Sequence, residues 1–507
     1  MELALNIQPN AKMPLHRQIY SQIRVAILSG RLRSHTQLPA SRHLAKSLGV
    51  SRSTVTQSYD QLISEGYLHT QPGAGTFVCA HIPDDFLTAE LKENSELSPV
   101  EPSHTATAYP LSAYGHRLQN TSHRPDKDDC ALSFAYGIPD FGQFPIQSWR
   151  RLLGRHYAAS EYWMNYSPDP MGYGSLREQV ARYIAQVRAV QCTPEQILIT
   201  HGAQQALALI VRVFVNSGEA IAIENPGYLS GRRIFEAHGA TVLPVPVDAE
   251  GLQIEGSDGL AAVATANTRL AYVTPSHQFP TGVLMSLSRR LALLQWAQHS
   301  NALVIEDDYD SEFRYSGRPI PALQGLDTYE RVLYVGTFSK IMFPGLQLGY
   351  VVVPPPLVAV FKQAKWLCDR QSNLIHQAAL ADFIAEGYLA KHVRRMRTVY
   401  DQRRQALVAA LQSVEGQTGT VEILGDQAGL HVMARLPTTK GDRLLVEQAR
   451  DRGVNLFSAH PHYWQPANHL QSGPQTDLPR KTELIFGFGG ISETDIAQAI
   501  ERIQPLL

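Results

Sequence analysis

The stretch VLYVGTFSKIMFPGLQLGY, Val332–Tyr350, decides the fold of the larger part of this 507-residue chain. It opens with an apolar run of the length of a buried β-strand and continues into a turn that contains Lys340. A lysine that follows a buried strand among hydroxyl groups loses hydration, which prepares it to form a Schiff base with an aldehyde cofactor. An isolated lysine of this kind is more often a surface charge, so its surroundings decide between the two interpretations.

Similar apolar runs recur along the chain, and helical patterns separate them. They lie at residues 196–199, 220–223, 269–273, 302–305 and 349–353. Short strands that are apolar on both faces predict a mainly parallel sheet covered by helices. We therefore expect an α/β domain over residues 129–507, with a small α+β subdomain at about 395–507.

Polar residues follow several of these predicted strands. Asp307 suits a pyridoxal cofactor, because the pyridine nitrogen stays protonated only beside an anion, and Tyr309 can donate a hydrogen bond to the ring phenolate. A glycine turn at 201–203 opens a helix whose free amides can hold a phosphate, and the ring of Tyr228 can stack on a pyridine. The carboxyl ends of the strands should bring these groups together. Taken singly, each has an ordinary explanation as a helix cap, a packed ring or a solvated turn.

Residues 10–80 predict a separate DNA-binding domain. Helical patterns at 41–48 and 53–64 are joined by a tight Leu-Gly-Val-Ser turn, which is the spacing of a helix-turn-helix, and a Pro-Gly-Ala-Gly turn at 72–75 predicts a wing. Arg52 can reach a guanine edge, whereas hydroxyl groups fix the register on phosphates. In isolation, Ser51 would be only an N-cap and Arg52 only a solvated charge. The candidate DNA contacts are Arg42, Ser51, Arg52, Ser53, Thr54, Gly73 and Gly75.

The charge distribution supports this division. The chain as a whole has a net charge of −1, but its first 80 residues contain eight basic residues and three acidic ones. A basic head followed by a mildly acidic body is expected where only the head meets phosphates. Residues 81–128 mix proline with polar residues and lack periodicity, which predicts a flexible linker.

Neither export nor a membrane span is indicated. The four cysteines are far apart, with no CxxC pair, so they predict reduced thiols and no metal site. The N-terminus lacks a basic region followed by a long apolar one, and no apolar run is long enough to cross a bilayer. We expect a cytoplasmic protein.

The two parts resemble known families. The segments LPASR, LGVSRSTV, EGYL and GAGTFV resemble the GntR-family winged helix, which implies binding to double-stranded operator DNA. From about residue 130 onward the chain resembles fold-type I pyridoxal-phosphate enzymes of the aspartate aminotransferase superfamily. The segments YGSLREQVARYI, HGAQQAL, ENPGY, TPSHQFPTG, EDDYDSEFRY and GTFSKIMFPGLQLGY look like the MocR subfamily of bacterial regulators.

This resemblance implies a pyridoxal 5′-phosphate site and a role for each residue in it. Lys340 would carry the Schiff base, Asp307 would contact the pyridine nitrogen, Tyr309 the phenolate, and Tyr228 would stack on the ring; the first three form the catalytic set. Tyr166 would reach the cofactor of a partner subunit in a head-to-tail homodimer. The remaining cofactor contacts would be Ala203, Gln204, Thr337 and Ser339 at the phosphate, and His277 or Gln278 at the ring edge.

Two positions depart from the family pattern. Gln347 stands where PGLRLGY has an arginine, so a bidentate charged contact to phosphate is lost and cofactor affinity is in question. Residues 482–490 contain no arginine, although aminotransferases commonly use one there to bind a substrate carboxylate. His460, His462 and Tyr463 are nearby polar candidates for a different ligand.

Three hypotheses follow. The first is a DNA-binding regulator of the MocR type, located in the bacterial cytoplasm at the nucleoid, that senses an amino compound or the cofactor itself through a Schiff base at Lys340. The second is a working aminotransferase with an appended DNA-binding domain. The third is a regulator whose cofactor site has decayed into a dimerisation module. The fused winged helix favours the first over the second, the intact Lys340, Asp307 and Tyr309 favour the first over the third, and Gln347 favours the third.

Overall fold

The structure, a computed structural model, consists of two compact units, Met1–Tyr109 and Pro110–Leu507. It describes residues 3, 5–9, 13–82, 109–119, 121, 130–158, 165–317, 320–416, 419–438, 440–464 and 482–506. Most of the predicted linker, including residues 83–108, lies outside these ranges.

The first unit is a three-helix fold with a small antiparallel sheet. Its elements are α1 (Leu15–Leu28), β1 (Gln37–Leu38), α2 (Ser41–Leu48), α3 (Arg52–Ser64), β2 (Leu68–Gln71) and β3 (Gly75–Val78). The strands pair in the order β1-β3-β2, so β2 and β3 form the predicted wing, and β1, which sequence reasoning missed, adds a third strand. The buried face of α1, with Ile19 and Ile23, packs with Val55 and Leu62 of α3, as their helical spacing predicts.

The helices of the second unit are α4 (Ala113–Gln119), α5 (Ile146–Tyr157), α6 (Gly174–Arg188), α7 (Gly202–Phe214), α8 (Leu229–His238), α9 (Leu260–Val263), α10 (Leu287–His299), α11 (Val358–Asp369), α12 (Leu374–Ala385), α13 (Tyr388–Gln412), α14 (Asp442–Asp451) and α15 (Glu493–Ile503).

The strands of the second unit are β4 (Leu132–Ser133), β5 (Ile197–Thr200), β6 (Ala220–Asn225), β7 (Thr241–Asp248), β8 (Gly251–Leu252), β9 (Thr268–Val273), β10 (Leu303–Asp308), β11 (Val332–Thr337), β12 (Gly349–Val352), β13 (Glu415–Gly416), β14 (Gly419–Thr420), β15 (Glu422–Leu424), β16 (His431–Leu436), β17 (Val454–Asn455), β18 (Phe457–Ser458) and β19 (Thr482–Gly487).

The central sheet has eight strands in the order β5-β12-β11-β10-β9-β6-β7-β8. Strands β11, β10, β9, β6 and β7 run parallel to one another, which confirms the predicted mainly parallel sheet. Strand β12 is antiparallel to both β11 and β5. The segment between β11 and β12 holds only one 3₁₀ turn, so there is no helix to carry the chain back for a parallel crossover.

Both faces of this sheet are buried. Ile305 of β10 and Leu333 of β11 pack in one core with Leu207 of α7, whereas Val304 and its neighbours pack in a second core with helix α10. Side chains of a strand alternate between the two faces, so a strand covered on both sides reads as a continuous apolar run. This is why the sequence showed the strands clearly.

The C-terminal part contains a four-stranded antiparallel sheet in the order β15-β16-β19-β18, which agrees with the expected α+β character. The expected start of this subdomain, near residue 395, falls inside the continuous helix α13. The predicted linker also needs a correction, because part of it forms helix α4, which contacts α8. There the Arg117 guanidinium donates a 2.8 Å hydrogen bond to the carbonyl of Ala237.

Candidate functional sites

A cavity of about 1190 Å³ lies at the carboxyl ends of the central strands. Residues after β5, β9, β10 and β11 line one side, and residues of α14 and the segment 455–462 line the other. The cavity brings together eight of the sequence-predicted cofactor contacts. These are Ala203, Gln204, Tyr228, Asp307, Tyr309, Thr337, Ser339 and Lys340.

Lys340 lies three residues after β11, and its side chain enters the cavity wall. Nζ donates a 2.9 Å hydrogen bond to the carbonyl oxygen of Gly137. Burial lowers the pKa of Lys340, while the negative charges of Asp310 and Asp307 oppose that shift. A lowered pKa increases the neutral fraction of the amine, which is the form that attacks a carbonyl carbon. Gly137, which is 203 residues away in sequence, carried no signal that could have identified it.

Asp307 is the second-last residue of β10 and is buried at the cavity wall. Its Oδ2 accepts a 2.7 Å hydrogen bond from the hydroxyl of Tyr272 on the adjacent strand β9. Its Oδ1 is buried and has no hydrogen-bond partner among the described residues. Burial raises the pKa of Asp307 to about 6, and the Tyr272 hydrogen bond opposes this rise. An unpaired buried carboxylate oxygen fits the protonated nitrogen of a pyridine ring.

The N-terminus of α7 faces the cavity through Gly202, Ala203 and Gln204. The first amides of a helix have no partner within the helix and attract phosphate. Across from it, the Thr337 hydroxyl donates a 3.1 Å hydrogen bond to Oγ of Ser339. These groups suit the phosphate of a cofactor.

Tyr228 is positioned by the same helix. Nε2 of Gln204 donates a 2.9 Å hydrogen bond to the Tyr228 hydroxyl, and the Tyr228 ring meets Phe279 edge to face with ring centroids 6.0 Å apart. Phe279, which the sequence did not single out, also lines the cavity. The two aromatic rings give the cavity an apolar wall beside Asp307.

His277 and Gln278, the residues expected at the ring edge, lie away from the cavity surface. Both side chains are buried, and neither belongs to the described residues that line the cavity. Nε2 of Gln278 donates a 2.8 Å hydrogen bond to the carbonyl of Pro226, and Oε1 accepts one from the Thr281 hydroxyl. These bonds turn the amide inward because a buried polar group requires partners.

Two other predicted residues lie in different surroundings. Tyr166 is 70% exposed and does not line the cavity within the described residues; the Arg370 guanidinium lies 5.1 Å from its ring centroid. Gln347 does line the cavity, and its Nε2 donates a 3.2 Å hydrogen bond to the carbonyl of Pro344. The position of the missing family arginine therefore borders the cavity.

The far side of the cavity carries charged residues that sequence reasoning missed. They are Arg233 on α8, Arg443 and Arg450 on α14, and the acidic Asp442 and Glu447. His460 and His462 also line the cavity, whereas the Tyr463 hydroxyl donates to Glu483 at 2.6 Å. The spacing of the charged residues of α14 puts them on one face of the helix. Nothing in the local sequence indicates that this face lines the cavity.

In the first unit, the turn before α3 is well ordered by its hydroxyl groups. Ser51 is the N-cap, and its Oγ accepts a hydrogen bond from the amide of Thr54 at 3.2 Å and lies 2.8 Å from Oγ of Ser53. Arg42 and Arg52 are exposed and make no ion pair within the described residues. Their guanidinium groups are therefore available to an anionic partner.

The wing is shaped by two glycines. Gly73 and Gly75 have φ values of 81° and 120°, in the region that glycine adopts most easily. Nε2 of Gln37 donates a hydrogen bond to the carbonyl of Ala74 and ties the tip of the wing to β1. Together with the start of α3, this unit has the form of a winged helix-turn-helix.

Comparison with known proteins identifies the family of each unit. Residues 15–78 match the family described as bacterial regulatory proteins, gntR family, and residues 131–470 match aminotransferase class I and II. The chain is 36% identical to the probable rhizopine catabolism regulatory protein MocR of Rhizobium meliloti, over 99% of this chain and 95% of that protein. It is 31% identical to the pyridoxine biosynthesis transcriptional regulator PdxR of Corynebacterium glutamicum, over 99% and 98% of the two chains.

The second unit also resembles solved enzymes. Pyrococcus horikoshii kynurenine aminotransferase, crystallised with PMP, superposes with a TM-score of 0.65 at 28% identity, over 80% of this chain and 96% of that one. A DNA-binding winged helix joined to an aminotransferase-type domain defines a class of bacterial transcription regulators whose cofactor is pyridoxal 5′-phosphate. The chain belongs to the MocR-type family of HTH regulators within that class. No helix among the described residues is long and apolar enough to cross a membrane.

Proposed function

We propose that this regulator binds its operator as a head-to-tail homodimer in the bacterial cytoplasm and senses a small amino compound through pyridoxal phosphate held at Lys340. The unpaired Oδ1 of Asp307, buried in the same cavity as Lys340, carries this proposal. A buried carboxylate oxygen without a hydrogen-bond partner destabilises the folded protein unless a ligand supplies the missing hydrogen bond.

Different residues would bind different parts of the cofactor. Asp307 would pair with the pyridine nitrogen, Tyr228 would cover the ring, and Tyr309 would approach the phenolate. The N-terminus of α7, with Thr337 and Ser339, would bind the phosphate. Pyridoxal phosphate supplies an aldehyde that links reversibly to amines. Lys340 would hold it until a free amine competes.

The cavity supports an amino compound as the effector. Its volume of about 1190 Å³ is slightly above the usual range of small-molecule sites and leaves room beside a cofactor. The lining offers the cations Arg233, Arg443 and Arg450 and the anions Asp442 and Glu447. A zwitterionic or acidic amine could form a Schiff base with the cofactor aldehyde and ion pairs with the charged residues that line the cavity.

Regulation requires that the effector favour one arrangement of the protein over another, since a ligand with equal affinity for both shifts nothing. The cavity is suited to this role because the central sheet lines one side and α14 of the C-terminal part lines the other. An effector that contacts both sides would favour the arrangement in which they are close together.

A metabolic aminotransferase is the alternative. The absence of arginine from residues 482–490 and the presence of Gln347 at the cavity count against it, because both usual anion contacts are missing. A site reduced to a structural module is opposed by the partly buried Lys340 and the buried Asp307, whose charged forms are costly without a ligand. We therefore favour the regulator with a working cofactor site.

The test is spectroscopic. Purified full-length protein, loaded with pyridoxal phosphate and freed of excess, should show the long-wavelength band of the lysine-bound cofactor. Lys340→Ala should lose the band, whereas Lys391→Ala, which removes an exposed lysine of α13, should keep it. A colourless wild-type protein would contradict the proposal. Sustained turnover of an amino acid with a keto acid would instead support the enzyme, and sedimentation would test the dimer.

A further inference from the structure

A buried histidine–carboxylate pair contacts Tyr309; Asp310 lines the cavity, whereas His277 is not among the described residues that line it. Nδ1 of His277 is 3.1 Å from each carboxylate oxygen of Asp310, and both side chains are almost fully buried. The Tyr309 hydroxyl donates a 2.9 Å hydrogen bond to the carbonyl of His277 and lies 3.1 Å from Nδ1. Three groups from two segments thus form one continuous network.

We propose that His277 and Asp310 are positioning residues that hold the Tyr309 hydroxyl for contact with the phenolate oxygen of the cofactor. The inference rests on the proposed cofactor site at Lys340. It assigns a role to His277, which the sequence predicts at the ring edge and which is not among the described residues that line the cavity.

The geometry determines which atom carries the proton. A carboxylate only accepts hydrogen bonds, so Nδ1 must donate to Asp310. Tyr309 therefore donates to the backbone carbonyl, and its oxygen remains close to the Nδ1 proton. Rotation about its Cζ–O bond turns the hydroxyl proton towards a ligand without moving the ring. An N–H close to the hydroxyl oxygen polarises it and makes it a stronger donor.

Glycines pack the histidine tightly in this position. A Cβ added at Gly429 would lie 2.0 Å from Cε1 of His277 and 2.5 Å from Oδ2 of Asp310, and one at Gly282 would lie 3.0 Å from Nε2. The amide of Leu430 also donates to Asp310 at 3.3 Å. The imidazole therefore has little freedom to turn, and Nε2 has no hydrogen-bond partner within the described residues.

Other ionisable groups lie next to this network and would influence its response to pH. Asp307 and Lys340 lie in the same cavity as Tyr309 and Asp310. His431 of β16 packs on His277 with ring centroids 4.8 Å apart, and burial together with His277 lowers its pKa well below the ordinary value. A neutral His431 adds no positive charge next to the His277–Asp310 pair.

The experiment is a mutant cycle read by the pH midpoint of the lysine-bound cofactor band. A hydrogen-bond donor to the phenolate oxygen draws negative charge away from the neighbouring lysine nitrogen. If the Tyr309 hydroxyl is no longer oriented as that donor, the lysine nitrogen keeps its proton to higher pH. His277→Leu removes the donor and should raise the midpoint by about one pH unit. His277→Asn places an amide N–H near the position of Nδ1 and should restore most of the wild-type value.

Both substitutions are then combined with Tyr309→Phe. If the pair acts through Tyr309, the effect of His277→Leu should vanish when Tyr309 has no hydroxyl. Equal effects in the two backgrounds, or no rescue by His277→Asn, would overturn the inference. If His277→Leu does not fold, Asp310→Asn, which keeps the shape of the side chain, replaces it in the same cycle. A wild-type protein without a cofactor band would instead contradict the proposed function.

Discussion

The Tyr272 hydroxyl donates a 2.7 Å hydrogen bond to one oxygen of Asp307, while the other oxygen of that carboxylate has no partner among the described residues. The two residues lie on the adjacent parallel strands β9 and β10. One oxygen is thus held by the sheet, and the other is the one that the proposed function assigns to the cofactor. The bond also opposes the rise in the pKa of Asp307 that burial causes.

We expect Tyr272→Phe to weaken pyridoxal phosphate binding by at least about tenfold, because a hydrogen bond to a charged group contributes about 1.5–3 kcal/mol. Titration of the cofactor band would measure the change. Tyr334→Phe is a matched control, since the Tyr334 hydroxyl donates a 2.6 Å bond to Asp308, which does not line the cavity within the described residues. Equal losses in both variants would show that the Tyr272 bond has no specific role.

Asp307→Asn should stabilise the cofactor-free protein at pH 8 while abolishing cofactor binding. Burial raises the pKa of Asp307 from an ordinary 3.8 to about 6, so the folded state bears the cost of an ionised carboxylate above that pH. Removing the charge should add up to about 3 kcal/mol to the free energy of unfolding at pH 8.

That gain should shrink as the pH falls through 6 and disappear near pH 4, because the wild-type carboxyl is then protonated in the folded state. Urea unfolding measured between pH 4 and pH 8 would follow this gain in the free energy of unfolding. The exposed Asp258, changed to Asn, should show no such pH-dependent gain. A gain of the same size at pH 4 and pH 8 would contradict the explanation.

Gln347→Arg should tighten cofactor binding by about tenfold, since a guanidinium forms charge-assisted bonds to phosphate. Gln347 has a φ of 53°, and the replacement adds no backbone strain because arginine and glutamine tolerate this region equally poorly. Equilibrium dialysis would give the dissociation constants. Gln347→Glu should weaken binding, and unchanged affinity in both variants would place the phosphate elsewhere.

Arg52→Ala should reduce specific operator binding by about tenfold to a hundredfold, which is the range for loss of one bidentate base contact. The cofactor band should not change. Ser64→Ala, at the opposite end of α3, is the control in the same gel-shift assay. Unaltered operator affinity in Arg52→Ala would show that another element reads the DNA.

Much of the fold was predictable from local patterns. The apolar runs that became β5, β6, β9, β10, β11 and β12 are buried on both faces, so their sequence alone identifies them. Lys340, Asp307 and Tyr228 were predicted because each follows such a strand. Helix α4 was missed, because seven residues with no buried side chain carry no apolar stripe.

The sequence by itself determined the two domain types and pointed to the residues that we propose carry the chemistry, since periodicity, turns and short motifs are local properties. Only the tertiary structure decided which groups meet. It brought Gly137 to Lys340, paired Tyr272 with Asp307, and turned Gln278 away from the cavity. The physical reason is that such contacts depend on strand order and on the requirement that buried polar groups find partners, which become defined only when the whole chain has packed.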